Sequence, residues 1–309
     1  MTGLVLAPAI LVVVTAGCSS LLGIDDFRVD DAAGSSSDGP RDASPIVDGQ
    51  LVDGFGIDGS MGCDPNSQFG APQIITVLSS GASEDSARLN ANETTVFFER
   101  DGAIHTATRT NAAATFNAPT LIAALDTAAS EGGPSISFDE TELVYSRDGD
   151  MFRATRTNAT LPFASDGVAL VDVNSASNEL HPYVGFMELW FASNRSLAGD
   201  TSLNLWKANL DVISGNYEIQ PEPGGLNTPS AEDAPVVMFG GGRIYFASNR
   251  DGSFDIFTAT GAGGAFTNLI KLTTISDAVK DERPTHISFD QCRLYFSQDG
   301  DLYVATRTN

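Results

Sequence analysis

Carboxylate side chains recur at one position in this chain, three residues before a proline. They are Glu131, Glu179, Glu232 and Asp281, and Glu84 holds the same position where Ala87 replaces the proline. Converging carboxylate oxygens could hold Ca²⁺ or a cationic ligand. Each carboxylate could instead accept hydrogen bonds from backbone N–H groups of its own loop, which is a structural role. The recurrence favours the structural role, because one ligand rarely needs five identical contacts.

Other side chains with possible chemistry are three histidines and a set of Asp-Gly pairs. His105, His181 and His286 could act as bases or metal ligands. No Cys/His/carboxylate cluster with the spacing of a metal site accompanies them, so we expect them to pack in the core or a channel. The Asp-Gly pairs begin at Asp101, Asp148, Asp251 and Asp299. Asp and Gly are the residues that a two-residue hairpin turn requires, which favours turns over catalysis.

A repeat must position these side chains. Successive Asp-Gly pairs are 47 residues apart from Asp101 to Asp148 and 48 apart from Asp251 to Asp299. Five copies of the pattern occupy residues 97–108, 144–155, 189–207, 245–258 and 295–306. In the second copy, β-forming runs at 134–138, 142–147, 150–156 and 163–171 are separated by turn residues. Four short strands in about 48 residues are typical of a β-propeller blade.

The repeat therefore predicts an all-β fold over residues 66–309. We expect a five-bladed β-propeller of four-stranded antiparallel blades, with six blades as the alternative. Residues 305–309 repeat the sequence of 107–111 and 154–158, after which an outer strand follows in the earlier copies. Residues 69–75 resemble the outer strand at 116–122. The N-terminal strand is thus predicted to complete the last blade, which closes the ring and removes exposed sheet edges.

Ring closure has consequences for the cysteines and the carboxylates. Cys63 precedes the closing strand, and Cys292 lies in the turn between the first two strands of the last blade. Both would lie on one face of the same blade, which favours a disulfide over two unpaired thiols. Ring symmetry would also place the five repeated acids around one mouth of the central channel.

The third repeat departs from the pattern. Its hairpin, 196–202, is longer, and it contains both tryptophans, Trp190 and Trp206. These side chains could mark a binding surface, or they could fill a blade of irregular shape. A specific site is best sought where the repeat breaks.

Charge restricts the class of partner. The 309 residues include 40 acids and 17 Lys and Arg, for a net charge of −23. This balance argues against nucleic acid as a partner and disfavours peripheral binding to anionic lipid through a basic patch. Residues 19–62 carry nine Asp against two Arg and are rich in Ser and Gly. Such a segment cannot form a packed core, so residues 18–65 are predicted to be a disordered tether.

The N-terminus has the pattern of an export signal. Residues 1–17 carry no charged side chain, and the apolar run 4–14 is too short to span a bilayer. The run is followed by Thr15-Ala16-Gly17-Cys18, which resembles a bacterial lipobox. This predicts a signal peptide at 1–17 and lipidation of Cys18, with a cleaved signal and an incidental Cys as the alternative. By the enterobacterial sorting rule, Ser19 would direct the lipoprotein to the outer membrane.

The repeats resemble those of TolB-type β-propellers, which are periplasmic relatives of the WD repeat. The shared pattern appears here as Pro134…Ser137-Phe138-Asp139…Tyr145-Ser146-Arg147-Asp148-Gly149 and again at residues 246–257. The resemblance covers residues 66–309 and is specific for fold rather than for function.

These observations predict an envelope-exposed lipoprotein that acts as a monomeric, non-catalytic binding or scaffolding module. Its partner would be an envelope protein or a glycan, and the lipid anchor would be its one attachment to the membrane. No G-x-S-x-G elbow or phosphate-binding loop is present. The alternative is a carbohydrate-active enzyme, a glycosidase or lyase, with carboxylates in the propeller channel; that alternative rests on fold analogy.

Overall fold

The computed structural model describes residues 62–195, 201–238, 240–262 and 264–307. In these residues the chain forms twenty β-strands, arranged as five antiparallel sheets of four strands. The five-bladed, all-β propeller predicted from the repeat is confirmed. The predicted signal peptide, Cys18 and most of the predicted tether fall on residues 1–61, outside the described residues. Within the described ranges, no helix is long and apolar enough to cross a membrane.

The strands follow one another in the same order in every blade. A first strand, β1 (Gln73–Ile74), precedes blade one, which comprises β2 (Glu84–Leu89), β3 (Thr95–Arg100), β4 (Ala103–Thr108) and β5 (Thr120–Leu121). Blade two comprises β6 (Glu131–Ile136), β7 (Glu142–Arg147), β8 (Asp150–Thr155) and β9 (Val168–Ala169). Blade three comprises β10 (Glu179–Val184), β11 (Glu188–Ser193), β12 (Asn204–Leu210) and β13 (Tyr217–Ile219). Blade four comprises β14 (Glu232–Val237), β15 (Arg243–Ser248), β16 (Asp255–Ala262) and β17 (Ala265–Lys271). Blade five comprises β18 (Glu282–Ile287), β19 (Arg293–Gln298) and β20 (Asp301–Thr306).

The fourth strand of blade five comes from the beginning of the propeller. Strand β1 pairs antiparallel with β20, with Gln73 opposite Val304 and Ile74 opposite Tyr303. An isolated bridge between Phe69 and Arg307 extends this pairing. The predicted closure of the ring by the N-terminal strand is therefore confirmed.

Each inner strand contains a one-residue bulge near its start. The third residue of the strand has a positive φ in four blades: Ser86, Gly133, His181 and Ala234, with φ between 48° and 59°. In blade five this position is Pro284, whose ring fixes φ at a negative value. A bulge bends the strand and redirects its side chains, so the second and third residues face other blades across the channel.

Asp-Gly pairs form the tight turns between the second and third strands in three blades. Asp101, Asp148 and Asp299 have φ of 47–50°, and each following glycine is also positive, as a type I′ turn requires. In blade four, Asp251-Gly252 lies within a longer loop between Ser248 and Asp255. Turn geometry thus explains three of the four pairs.

The hydrophobic core is divided among the seams between neighbouring blades. Five buried clusters occupy the five seams. At the closing seam, for example, Phe98 and Leu89 of blade one pack with Leu302 of blade five. Each blade is therefore held by its neighbours, and the ring positions the inner strands around one channel.

Candidate functional site

The repeated glutamates are buried structural groups rather than an open ring of ligands. Glu84, Glu131, Glu179 and Glu232 are all fully buried. Each accepts hydrogen bonds from the side chain and backbone N–H of a Ser or Thr four residues earlier, such as Ser175 Oγ to Glu179 Oε1 at 2.6 Å. Each also pairs with an arginine at or just beyond the end of the second strand, at 2.9–3.0 Å. The idea that these acids line the channel mouth is wrong, because these contacts direct the carboxylates into their own blades.

In blade five the repeated acid is Glu282, not Asp281. Strand pairing puts Glu282 opposite Gln298, as Glu84 stands opposite Arg100 and Glu131 opposite Arg147. The rule that the acid stands three residues before the proline fails in blade five. Pro284 is the third residue of its inner strand, whereas Pro134 is the fourth residue of its own, so the acid is two residues before Pro284. Asp281 is exposed; it accepts a hydrogen bond from Phe254 N (2.9 Å) and lies 3.5 Å from Arg283.

The central channel is spanned by one buried arginine. Arg88, on the inner strand of blade one, donates hydrogen bonds to the carbonyls of Pro235 (2.9 Å), Pro182 (3.3 Å) and Thr285. Its guanidinium also lies 4.6 Å from the centre of the Tyr183 ring. One side chain thereby connects blades one, three, four and five. Burial lowers the pKa of Arg88 to about 10, so it stays charged at neutral pH.

An ion-paired triad crosses the mouth of the channel, on the face of the propeller where the Asp-Gly turns lie. His181 Nδ1 lies 2.6 Å from Asp233 Oδ1, and Arg283 Nε lies 3.2 Å from Asp233 Oδ2. Burial opposes the charged form of His181, but the charge of Asp233 and its hydrogen bond outweigh burial and raise the pKa of His181 to about 9. Asp233 is itself deeply buried, yet His181 and Arg283 hold its pKa well below the usual value. The triad is therefore an ionised group at neutral pH.

A second pair of acids faces the triad from blade one. Asp85 and Glu99 are cross-strand partners, and Gly133 N donates to Glu99 Oε2 at 3.3 Å. Burial, and then the nearby charge of Asp85, raise the pKa of Glu99, although His181 opposes the shift. Blade two has a glycine here, Gly132, and a Cβ at that position would clash with the Glu99 carboxylate as it is placed.

We call these five residues the mouth cluster: Asp85, Glu99, His181, Asp233 and Arg283. His181 and Arg283 keep about a fifth of their side-chain surface exposed, at 19% and 21%. The cluster therefore offers accessible donors and acceptors of both charges, which suits a polar ligand that carries hydroxyl or charged groups. The described residues contain no group of three or more His, Cys, Asp or Glu side chains arranged to hold a metal ion.

The tryptophans are core residues, contrary to the binding surface considered above. Trp190 is 2% exposed and packs with Phe246 and Val237 between blades three and four. Trp206 is 9% exposed and packs with Phe191 between blades two and three. Their size fills the seams on either side of the irregular blade, which leaves no exposed indole face for a ligand.

The remaining residues singled out in the sequence occupy separate places. Cys63 and Cys292 are bonded, with S–S at 2.10 Å and Cα atoms 5.6 Å apart. His286 is in the channel interior, where burial and then the charge of Arg88 lower the pKa of His286 to about 3. His105 packs against Phe98, 5.9 Å between ring centres. Of the predicted residues, only His181 belongs to the mouth cluster.

Sequence reasoning missed most of the mouth cluster because it followed what repeats. The position after the repeated glutamate is Asp85, Gly132, Leu180, Asp233 and Arg283 in the five blades. That position carries acidic, basic and uncharged side chains of very different size, and its charged members, Asp85, Asp233 and Arg283, belong to the mouth cluster. When the five inner strands are aligned, this variation in charge is the sequence feature that could have indicated the mouth cluster.

Comparison with known proteins supports the fold alone. No protein-family model matches the chain, and no curated protein does. Among solved structures, it is similar to a putative TolB from Agrobacterium tumefaciens (TM-score 0.43, 16% identity, 73% of this chain and 75% of that chain). It is also similar to TolB from Acinetobacter baumannii (TM-score 0.44, 15% identity, 75% of this chain and 56% of that chain). A thermostable family-43 glycoside hydrolase has a TM-score of 0.52 at 12% identity, over 74% of this chain and 91% of that chain. TolB proteins are thus among the similar structures, as the sequence resemblance predicts.

Proposed function

We propose that this chain is a non-catalytic binding module of the bacterial cell envelope, and that its ligand site is the mouth cluster. The observation that carries the proposal is the set of charged side chains at the channel mouth that does not repeat from blade to blade. The buried glutamate–arginine pair, which is structural, recurs in four blades as Glu84 and its equivalents. Asp85, Asp233 and Arg283 occupy one aligned position with different chemistry, which is the pattern that recognition of an asymmetric ligand requires.

The channel geometry favours binding at a shallow site. Arg88 crosses the channel three residues beyond Asp85, but the bulge between them makes this two residues of the partner strand, so the mouth ends about 7 Å below its rim at strand rise. A site of this depth suits the end of a glycan or a protruding segment of a partner protein. Carboxylates, a guanidinium and an imidazole together can hydrogen-bond sugar hydroxyls or pair with charged side chains.

The setting of the module comes from the N-terminal sequence. The proposal includes export by the signal peptide, lipidation of Cys18 and an outer-membrane location, with the Asp-rich segment as a tether. The protein would act as a monomer that is joined to the membrane by its lipid alone. Metabolic labelling with a radioactive or alkyne-bearing fatty acid tests the anchor, since Cys18→Ser should abolish the label.

The binding proposal is tested by affinity capture from envelope extracts together with a glycan array. The wild-type chain is compared with Asp85→Asn/Glu99→Gln, which keeps the shape of the mouth and removes its two outer carboxylates. Asp150→Asn, an exposed residue of blade two outside the mouth cluster, is the matched control. We expect the control to retain a ligand that the double variant loses. Equal binding by all three proteins would contradict a site at the channel mouth.

A carbohydrate-active enzyme is the second candidate, and Glu99 is the observation in its favour. A carboxyl with a raised pKa opposite a second carboxyl, Asp85, could donate a proton to a leaving group. The similarity to a glycoside hydrolase shows the shared fold and adds nothing on activity. Turnover of a glycan panel, lost in Glu99→Gln and retained in Asp150→Asn, would replace the binding proposal with this one.

A further inference from the structure

The seam between blades four and five departs from a charge rule that the other blades obey. In blades one to four, the buried glutamate that begins the inner strand is neutralised by an arginine: Arg100, Arg147, Arg195 or Arg250. An ionised carboxylate can be buried at such a site because a guanidinium supplies both charge and hydrogen bonds.

Blade five has an uncharged amide in place of that guanidinium. Gln298 Nε2 donates to Glu282 Oε1 at 2.7 Å, and Asp277 N donates to the same oxygen at 3.2 Å. The other oxygen, Oε2, is buried and has no hydrogen-bond partner among the described residues. Glu282 is fully buried, so this oxygen does not reach solvent.

A second buried acid stands beside Glu282. Asp255 begins β16, and the carbonyl of the preceding Phe254 accepts a hydrogen bond from Glu282 N at 2.7 Å. Asp255 is 2% exposed; its Oδ2 pairs with Lys271 at 2.7 Å, and its Oδ1 has no partner within the described part of the chain. The equivalent residue at the previous seam is Asn204, an uncharged amide. Relative to that seam, this one lacks the arginine beside the glutamate and has a second buried carboxylate, Asp255, which pairs with Lys271.

We propose that Glu282 is protonated in mildly acidic solution, and that its ionisation as the pH rises through neutrality weakens the seam between blades four and five. An ionised Glu282 would be a buried carboxylate with an unsatisfied oxygen beside a second carboxylate, which is costly. Burying the neutral carboxyl at this position costs much less.

The charges around Glu282 agree with this assignment. Burial first, and then the negative charges of Asp255 and Asp277, raise the pKa of Glu282 to about 7, against hydrogen bonds from Gln298 and Asp277 N. The nearby cations have other partners: Lys271 pairs with Asp251 and Asp255, Lys280 with Asp299, and Arg283 with Asp233 and Asp281. Because the folded pKa lies above the ordinary value of 4.5, the folded state binds the extra proton. Its stabilising effect is present at acid pH and is lost as the pH rises through about 7.

The proposal also connects the seam to the mouth cluster. Glu282 is followed on β18 by Arg283, which holds Asp233 at the channel mouth. A change in β18 would therefore reach the proposed ligand site one residue away.

The test is equilibrium unfolding of the full chain in urea from pH 5.5 to 8.5, with a chelator present. In the wild type we expect Glu282 to raise the unfolding equilibrium constant on the order of tenfold between pH 5.5 and pH 7, with little further change from Glu282 above pH 8, where the titration of His181 contributes instead. Glu282→Gln, which is isosteric, and Gln298→Arg, which restores the arginine of the other blades, should both remove this rise. Arg250→Gln removes the guanidinium from Glu232, whose seam has Asn204 in place of Asp255, and should add a smaller second rise.

Two results would overturn the proposal. One is an identical pH dependence in the wild type and Glu282→Gln. The other is full recovery of wild-type stability at pH 8.5 on adding CaCl₂ or MgCl₂ without the chelator, with no such recovery in Glu282→Gln, since a metal ion rather than a proton would then neutralise the seam. Neither result depends on whether the mouth cluster binds a ligand, so the test stands apart from the proposed function.

Discussion

Arg88 of blade one donates a hydrogen bond to the main-chain carbonyl of Pro235 in blade four, at 2.9 Å across the channel. The two residues are 147 positions apart in the chain and lie in blades that are not neighbours in the ring. Neighbouring blades are held by hydrophobic seams, whereas this contact joins blades through the centre. The same guanidinium bonds blades three and five, so a single side chain sets the spacing of four inner strands.

Arg88→Met should destabilise the propeller by about 2 to 4 kcal/mol. The methionine would fill most of the volume, but three buried carbonyls would lose a charged donor. Arg88→Lys should lose nearly as much, because an ammonium group cannot span three carbonyls as a planar guanidinium does. Urea denaturation measures the change, and a Lys variant as stable as the wild type would contradict this role for the guanidinium.

The sequence predicted the architecture because the architecture repeats. Four strands per repeat, the Asp-Gly turns and the N-terminal closing strand all follow from local patterns that recur in the chain. The same reasoning failed where one repeat shifts. Pro284 occupies the bulge, so the buried acid of blade five is Glu282 and not Asp281.

The channel contacts could not be predicted from the sequence, since they join residues with no common pattern. Arg88, Tyr183 and His286 share one register position of the inner strands but differ in every property that pattern analysis uses. Their contacts depend on how the closed ring orients each strand. Likewise, Trp190 is a core residue because it packs against side chains of blade four. The residues next to Trp190 in the sequence do not indicate this packing.

His181 should titrate with a pKa near 9, and Asp233→Asn should lower that pKa below the ordinary 6.5. Asp233 supports the imidazolium against burial, so burial dominates when its charge is removed. The pKa of His181 is raised and that of Asp233 is lowered, so the ion pair stabilises the fold at pH values between the two pKa values. The stabilisation fades as the pH rises through about 9, or falls into the acid range where Asp233 gains a proton. NMR titration of the imidazole signals measures the pKa of His181 in the wild type and in Asp233→Asn. His286, with a pKa of about 3, is the internal control that should not titrate above pH 5. An unchanged His181 pKa in the Asn variant would contradict the pairing.

Glu93→Gln should destabilise the closing seam by about 2 kcal/mol. Glu93 of blade one is buried, accepts a hydrogen bond from Tyr295 Oη at 2.6 Å and forms an ion pair with Arg293 of blade five. Removing one partner of a buried pair costs about 3 to 5 kcal/mol, and the partial exposure of Arg293 reduces the expected loss. Glu140→Gln is the matched control at the same turn of blade two, where the pair with Arg156 is longer, at 3.7 Å. Thermal unfolding should show the larger decrease in Tm for Glu93→Gln, and equal decreases would argue against a special role for this seam.

Reduction of the Cys63–Cys292 bond should lower the stability of the propeller by about 2 to 5 kcal/mol. The bond joins residues 229 positions apart, and a long closed loop restricts the unfolded chain most in the chain-entropy model. In the folded state it holds the segment before β1 against the last blade, and Arg243 of blade four also donates to Pro65 O in that segment at 3.0 Å. Because that contact and the pairing of β1 with β20 remain, Cys63→Ser and Cys292→Ser should still fold. Both variants should match the reduced wild type in urea denaturation, and Cys18→Ser should behave like the oxidised protein. Mass mapping under non-reducing conditions identifies the linked peptides, and free thiols at both positions in protein exported to an oxidising compartment would refute the bond.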